Sequence, residues 1–187
     1  MKEQIRSTLM EKRRCLAGSD VQEKSRHIKQ RLFAMDEFKG AHRILFYVSY
    51  DNEVGTHEMI KECLAMGKQV VVPKVDKRSR SMSVSLLTRW EDLEACAYNI
   101  LEPKPDCIKE VPVDSIDLMI VPGVGFDAQG NRIGHGFGYF DRLLQHRKKA
   151  HIIGLAFECQ LVEKIPVETH DVCVGKIITE ERVIQCF

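Results

Sequence analysis

Between Pro122 and Arg142 the chain reads Pro-Gly-Val-Gly-Phe-Asp-Ala-Gln-Gly-Asn-Arg-Ile-Gly-His-Gly-Phe-Gly-Tyr-Phe-Asp-Arg, and six of its twelve glycines fall there. Gly134, Gly136 and Gly138 stand at alternate positions just before a segment, Tyr139 to Arg147, that can start a helix. Glycine lets backbone amides come close and converge on one anion. A helix start adds free N–H groups and a favourable dipole. Arg132 and Arg142 bring fixed positive charge suited to phosphate oxygens. Asp141 brings a hard carboxylate of the kind that holds Mg2+. The spacing is neither the dinucleotide fingerprint nor the phosphate loop that ends in Gly-Lys-Ser/Thr. It points to phosphate binding, with a tight-turn loop that binds nothing as the alternative.

Other candidates are sparser. Asp51 and Glu53 follow an apolar run, where a carboxylate can accept hydrogen bonds from the amino groups of a heterocycle or can simply be a solvated acid. His170-Asp171 is either an acid–base or metal pair or a surface turn. Trp90 can stack on a ring or pack in the core. The cations Arg6, Lys12, Arg13, Arg14, Lys24, Arg26, Lys29 and Arg31 are expected mostly on a solvated helix face, with some in reach of an anion.

These residues need a scaffold. Residues 1–40 read as a helical arm: Ile5, Leu9 and Leu16 share a face, Gly18 can stop the first helix, and Ser19-Asp20-Val21-Gln22 resembles a capping box for the next. Ile44 to Val48 is a run of strand formers. Thr56 can cap a helix carrying Met59, Ile60, Cys63 and Leu64, Gly67 ends it, and Gln69 to Pro73 is the next strand. That strand–helix–strand order requires a crossover and parallel pairing. Met82–Leu87, Asp117–Pro122 and His151–Phe157 are further strands. Residues 159–164 suit a short helix, and 172–174 and 176–179 suit short final strands. Alternating strands and helices predict one α/β domain over residues 1–187 around a mostly parallel sheet. Ligands are then expected beyond the strand ends, after Val48, Val121 and Phe157.

Composition narrows the function. The chain has 187 residues, 44% hydrophobic and 29% charged, enough to bury roughly 70% of its unfolded surface. A net charge of +1 argues against a nucleic-acid partner. The seven cysteines include no Cys-x-x-Cys pair and read as reduced thiols. The amino terminus is charged from Lys2 and no apolar run is long enough to span a bilayer, so no membrane association and a cytoplasmic location are expected.

The stretch Val121–Leu144 resembles the signature of the 5-formyltetrahydrofolate cyclo-ligase family, through Pro122-Gly123, Phe126-Asp127, Gly130-Asn131-Arg132-Ile133-Gly134 and Gly138-Tyr139-Phe140-Asp141-Arg142. Lys2 with Arg6, Tyr47 through Val54, Val72 to Val75, Leu101 to Pro103, Ile153 to Gln160, and Ile165 to Asp171 match further family blocks in order. The resemblance implies a Rossmann-like three-layer sandwich and closure of 5-formyltetrahydrofolate to 5,10-methenyltetrahydrofolate with Mg-ATP. It implies ATP binding by Lys2, Arg6, Arg132, Gly134, His135, Gly136, Phe137, Gly138, Tyr139, Phe140 and Arg142, with Arg132 and Tyr139 also catalytic. It implies folate binding by Val48, Glu53, His135, Phe137, Gly138 and Tyr139, and Mg2+ held by Asp141 and Asp171. A reduced folate and ATP are the expected partners, and a monomer the expected state, with a dimer the alternative. Phe140 replaces the second tyrosine of the usual pair, and Phe137 and His135 also depart from the family pattern. The rival readings are a folate- or RNA-binding regulatory protein and a sugar-phosphate isomerase or acyltransferase on a similar sandwich.

Overall fold

A computed structural model describes residues 1–76, 78–96 and 100–187. Three helices come first, α1 (Lys2–Arg14), α2 (Gly18–Ala34) and α3 (Asp36–Gly40). There follow β1 (Arg43–Phe46), α4 (His57–Ala65), β2 (Gln69–Asp76), β3 (Ser81–Leu87), β4 (Leu93–Ala95), β5 (Leu101–Pro103) and β6 (Leu118–Val121). The chain ends with β7 (Gly125–Asp127), β8 (Arg132–Ile133), α5 (Tyr139–Gln145), β9 (His151–Leu155), β10 (Leu161–Val162), β11 (Lys176–Ile178) and β12 (Val183–Gln185).

The main sheet has the order β12-β11-β9-β6-β1-β2-β3. The five inner strands, β11 to β2, run parallel, and β3 and β12 close the edges antiparallel. Period-two alternation fills both faces. Ile44, Phe46, Val70, Val72, Leu118, Ile120, Ile153 and Leu155 pack on one side with Ile28 and Leu32 of α2, Phe38 of α3 and Met59, Ile60 and Cys63 of α4. Leu45, Val71, Met119, Val121 and Ile152 pack on the other with Leu143 and Leu144 of α5. The result is the mostly parallel α/β domain that the alternating pattern predicts, in the three-layer form that the family resemblance implies. A second sheet, β10-β7-β8, carries Val124 and Ile133 against Leu9 of α1. That is how the helical arm reaches the glycine-rich segment.

Five local expectations fail, each for a physical reason. Gly18 opens α2 instead of ending α1, because Ala17 already has the extended cap conformation. Ser19 then lies inside the first turn, and no side chain caps that helix. Thr56 precedes α4 but does not cap it: its hydroxyl donates to the Tyr47 carbonyl at 2.7 Å and accepts the Ser49 amide at 3.0 Å, while Ser49 Oγ accepts the Thr56 amide at 3.0 Å. This clasp closes the loop after β1. Residues 159–164 form no helix. A 3-10 turn at Glu158–Gln160 leads into β10, since Gln160 is needed at the loop, donating to the carbonyls of Gly123 (2.8 Å) and Val124 (3.0 Å). Val172–Val174 is not a strand. The Val174 amide turns to the Gly130 carbonyl at 2.9 Å, outside the sheet.

Part of the glycine density is packing. The Phe126 ring is fully buried between Gly123 and Gly154, and a Cβ at either glycine would sit 2.5 Å from it. Gly154→Ala is expected to cost about 1–3 kcal/mol by overpacking. A urea midpoint equal to that of the unmutated chain would show that Phe126 can move aside.

Candidate functional site

The sheet order reverses direction at β1. From β1 the chain passes through α4 to β2 on one side, whereas β6 continues to β9 on the other. The crevice beyond the carboxyl ends of β1 and β6 is therefore the topological switch point. The loop after β1 and the segment 134–138 after β8 meet there: His135 Nε2 lies 3.6 Å from Glu53 Oε1 and 3.4 Å from the Tyr50 hydroxyl. Val48 is buried at the foot of the same loop. A wide hollow at the other end of the sheet, lined by Ala41, Asp114, Asp117, Lys148 and His151, lies at the amino ends of β1, β6 and β9, away from this crevice.

The glycine loop is held open from beneath. Gly136 and Gly138 have positive φ (+97° and +65°), and Gly138 is the N-cap of α5, a conformation that L side chains seldom take. Arg6 of α1 donates through Nε to the Gly134 carbonyl at 2.9 Å. Arg132 is buried under the loop. One terminal nitrogen donates to Asp141 Oδ1 at 2.8 Å, the other to the Pro122 carbonyl at 3.3 Å, and Nε has no partner among the described residues. Phe140 lies 5.9 Å from its guanidinium. Arg142 donates through one terminal nitrogen to the Arg80 carbonyl at 3.0 Å, while the other lies beside Gly138 and the guanidinium stands 5.2 Å from the Tyr139 ring centre. Phe137 is 71% exposed at the rim, its ring 6.0 Å from Tyr139.

The two expected metal carboxylates approach one another through the backbone. The Val172 amide, next to Asp171, donates to Asp141 Oδ1 at 3.4 Å. Asp171 Oδ2 accepts Lys2 Nζ at 2.6 Å and the Glu168 amide at 2.8 Å, and Lys2 also pairs with Glu168 at 3.2 Å. Burial pulls the Lys2 ammonium down, but its bonds to Asp171 and Glu168 outweigh that and leave its pKa raised. Burial likewise pushes Asp171 up, yet the Lys2 hydrogen bond and the Glu168 amide leave it below the usual carboxylate value. Asp141 engages its partners through Oδ1 and Asp171 is bound chiefly through Oδ2. Each thus retains a second hard oxygen, a donor set that fits a Mg2+ ion bound by one or two carboxylates plus substrate phosphates.

The Lys2–Asp171 pair gives a signed pH prediction. Asp171, with a depressed pKa, contributes stability above its unfolded value of about 4 and loses it as pH falls through the folded value. Lys2, with a raised pKa, contributes below its unfolded value of about 10.4 and loses it as pH rises through the folded value. Lys2→Met should therefore cost about 1 kcal/mol or less, uniformly between about pH 5 and 9, with the gap from the unmutated chain narrowing at both extremes. Urea midpoints of both chains against pH test this. A gap that widens on acidification would exclude the pair as its source.

Some residues were not singled out for the site from the sequence. Tyr50 reaches His135 across the crevice. Arg13 is buried beside Glu53, 4.0 Å away, although the run Lys12-Arg13-Arg14 reads as an exposed basic stripe. Burial, then the charge of Glu53, pushes the Tyr47 hydroxyl well above its ordinary pKa, with Arg13 opposing, and Tyr50 is raised for the same reasons. The spacing held the signal: Arg13 stands four residues after Leu9 and three before Leu16, on the apolar face of α1, where a solvated cation does not belong.

A mostly parallel sheet with a glycine loop and a buried carboxylate meeting at its switch point places the chain in the class of open α/β sandwiches, whose ligands bind in that crevice. The comparisons with known proteins give its particular kind. The family model described as the 5-formyltetrahydrofolate cyclo-ligase family matches residues 1–180. The chain belongs to that family and is an enzyme of the cyclo-ligase type. It is 31% identical over 187 residues to the mouse 5-formyltetrahydrofolate cyclo-ligase, covering 95% of this chain and 92% of that protein. It is 32% identical over 178 residues to the Escherichia coli K12 5-formyltetrahydrofolate cyclo-ligase, covering 94% and 98%. The NMR structure of Aquifex aeolicus 5,10-methenyltetrahydrofolate synthetase superposes with a TM-score of 0.87 at 29% identity, covering 99% of this chain and 92% of that one. Among the described residues no helix is long and apolar enough to cross a membrane.

Proposed function

We propose that the chain, acting as one catalytic unit, converts 5-formyltetrahydrofolate and ATP into 5,10-methenyltetrahydrofolate, ADP and phosphate. The observation that carries this reading is the meeting of Glu53 with the glycine loop through His135, 3.6 Å apart, which sets a heterocycle acceptor beside an anion cradle. The N5-formyl oxygen attacks the γ-phosphorus, the bond to ADP breaks, and the oxygen becomes a phosphate leaving group. N10 then attacks the formyl carbon, the C–O bond breaks, phosphate departs and N10 loses its proton.

The protein's part is positioning and charge. Glu53 accepts the pterin's amino and ring N–H donors, with Val48 against its face. Lys2, Arg6 and the amides of 134–138 take the phosphates. Arg132 stiffens the loop from below and adds positive potential where phosphoryl charge grows. Tyr139 orients the formyl group, and exposed Phe137 folds over the bound ligands. Asp141 and Asp171 would hold Mg2+, which would supply Lewis-acid stabilisation of the phosphate charge. Lys2 then leaves Asp171 for the phosphates.

Incubation with 5-formyltetrahydrofolate and Mg-ATP should yield methenyl product and ADP in equal amounts. Folate turnover without ATP would favour an isomerase or acyltransferase. Tight folate binding without turnover would favour a regulatory binding protein. Either result overturns the proposal.

A further inference from the structure

Arg13 sits on α1 between exposed Lys12 and Arg14, yet it is only 3% exposed. A buried guanidinium is costly unless a countercharge and hydrogen-bond acceptors meet it. A leucine on this face would pack at no such cost. The countercharge is present, since Glu53 Oε1 lies 4.0 Å from a terminal nitrogen of Arg13. The hydrogen bond is not: 4.0 Å exceeds its length, and that nitrogen has no partner among the described residues. The same nitrogen has almost no solvent-facing surface, so it does not reach a ligand in the crevice itself. Its influence passes through Glu53.

Glu53 is held on three sides. Arg13 and His135 flank Oε1, and Oε2 accepts the Tyr50 amide at 3.3 Å. The Arg13 carbonyl in turn accepts the Asn52 side-chain amide at 3.5 Å, tying α1 to the loop after β1. Helix α1 also carries Lys2 and Arg6, so one rigid element spans both halves of the proposed site.

We propose that Arg13 is a positioning residue for folate recognition: it braces Glu53 as a fixed anionic acceptor for the adjacent N–H donors of the pterin head. The inference rests on the reading that Glu53 faces the pterin. It explains why a cation with an unused donor is kept inside the protein.

Arg13→Met should raise KM for 5-formyltetrahydrofolate by about 10-fold or more, the scale of one charge-assisted hydrogen bond. KM for ATP should stay within about twofold and kcat within about threefold, a split that a merely structural role would not give. Arg13→Lys should recover part of the loss. In a Glu53→Gln background Arg13→Met should change folate KM less than about twofold, because no carboxylate is left to brace. Equal folate KM in the Arg13 variants and the unmutated enzyme, or full additivity with Glu53→Gln, overturns the inference. Should Arg13→Met fail to fold, Arg13→Lys alone decides: a KM raised about threefold supports the inference and an unchanged one overturns it. If instead the unmutated enzyme does not bind 5-formyltetrahydrofolate, the folate reading itself has failed.

Discussion

An Asp141→Asn enzyme is expected to keep its fold and lose at least about 100-fold in kcat, the scale seen when one group that stabilises developing charge is removed. The side-chain oxygen that accepts Arg132 at 2.8 Å and the Val172 amide at 3.4 Å survives in the amide, so the strut beneath the glycine loop keeps its geometry. The change removes a negative charge from beside a buried guanidinium, which should cost about 2 kcal/mol of the 5–15 kcal/mol typical of a domain. What disappears is the charge offered to a divalent cation. The loss in turnover should therefore be steepest at limiting Mg2+ and shrink as Mg2+ is raised. Steady-state rates across a Mg2+ series, with a thermal melt of each protein, separate the two effects. Turnover equal to that of the unmutated enzyme at limiting Mg2+ would remove Asp141 from any metal role.

The second large effect is expected at Asp127, which is fully buried in the turn joining β7 to β8. Its carboxylate accepts the amides of Gln129 (3.1 Å) and Asn131 (3.0 Å), the Asn131 side chain (2.9 Å) and the distant Ile165 amide (2.9 Å). Asp127→Ala strands these donors away from their acceptor and should destabilise the protein by about 3–5 kcal/mol. That corresponds to a fall in Tm of roughly 10 °C for a chain of this size. Asp127→Asn should fall between, because its amide nitrogen would face two donors where an oxygen stood. The turn leads directly into Arg132, so folate turnover should drop with stability in both variants. A Tm for Asp127→Ala within about 2 °C of the unmutated chain would show that water replaces the carboxylate.

These expectations explain why the Phe126-Asp127 pair occurs so near the glycines without touching the ligand crevice. Phe126 fills the space that Gly123 and Gly154 leave open, and Asp127 fixes the turn. The segment that reads as one anion loop is thus divided in space. Its first half is architecture, and Gly134 to Gly138 faces the β1 loop.

Strand and helix order was legible from the residues because burial imposes local periods. Leu118–Val121 is apolar throughout and became a central strand buried on both faces, and Met59, Ile60 and Cys63 at helical spacing became the inner face of α4. The family blocks were legible too, because they are written in residue types and not in contacts, and the glycine segment they contain does meet the loop after β1 at the crevice. Caps and short elements were less legible, since Thr56 and Gln160 spend their hydrogen bonds on distant carbonyls that no local pattern reveals. Tertiary structure alone decided that Arg13 is buried against Glu53, that Lys2 reaches Asp171 across 169 positions, and that Arg132 lies beneath its loop. Charge pairing depends on distance through space, and a sequence records only distance along the chain.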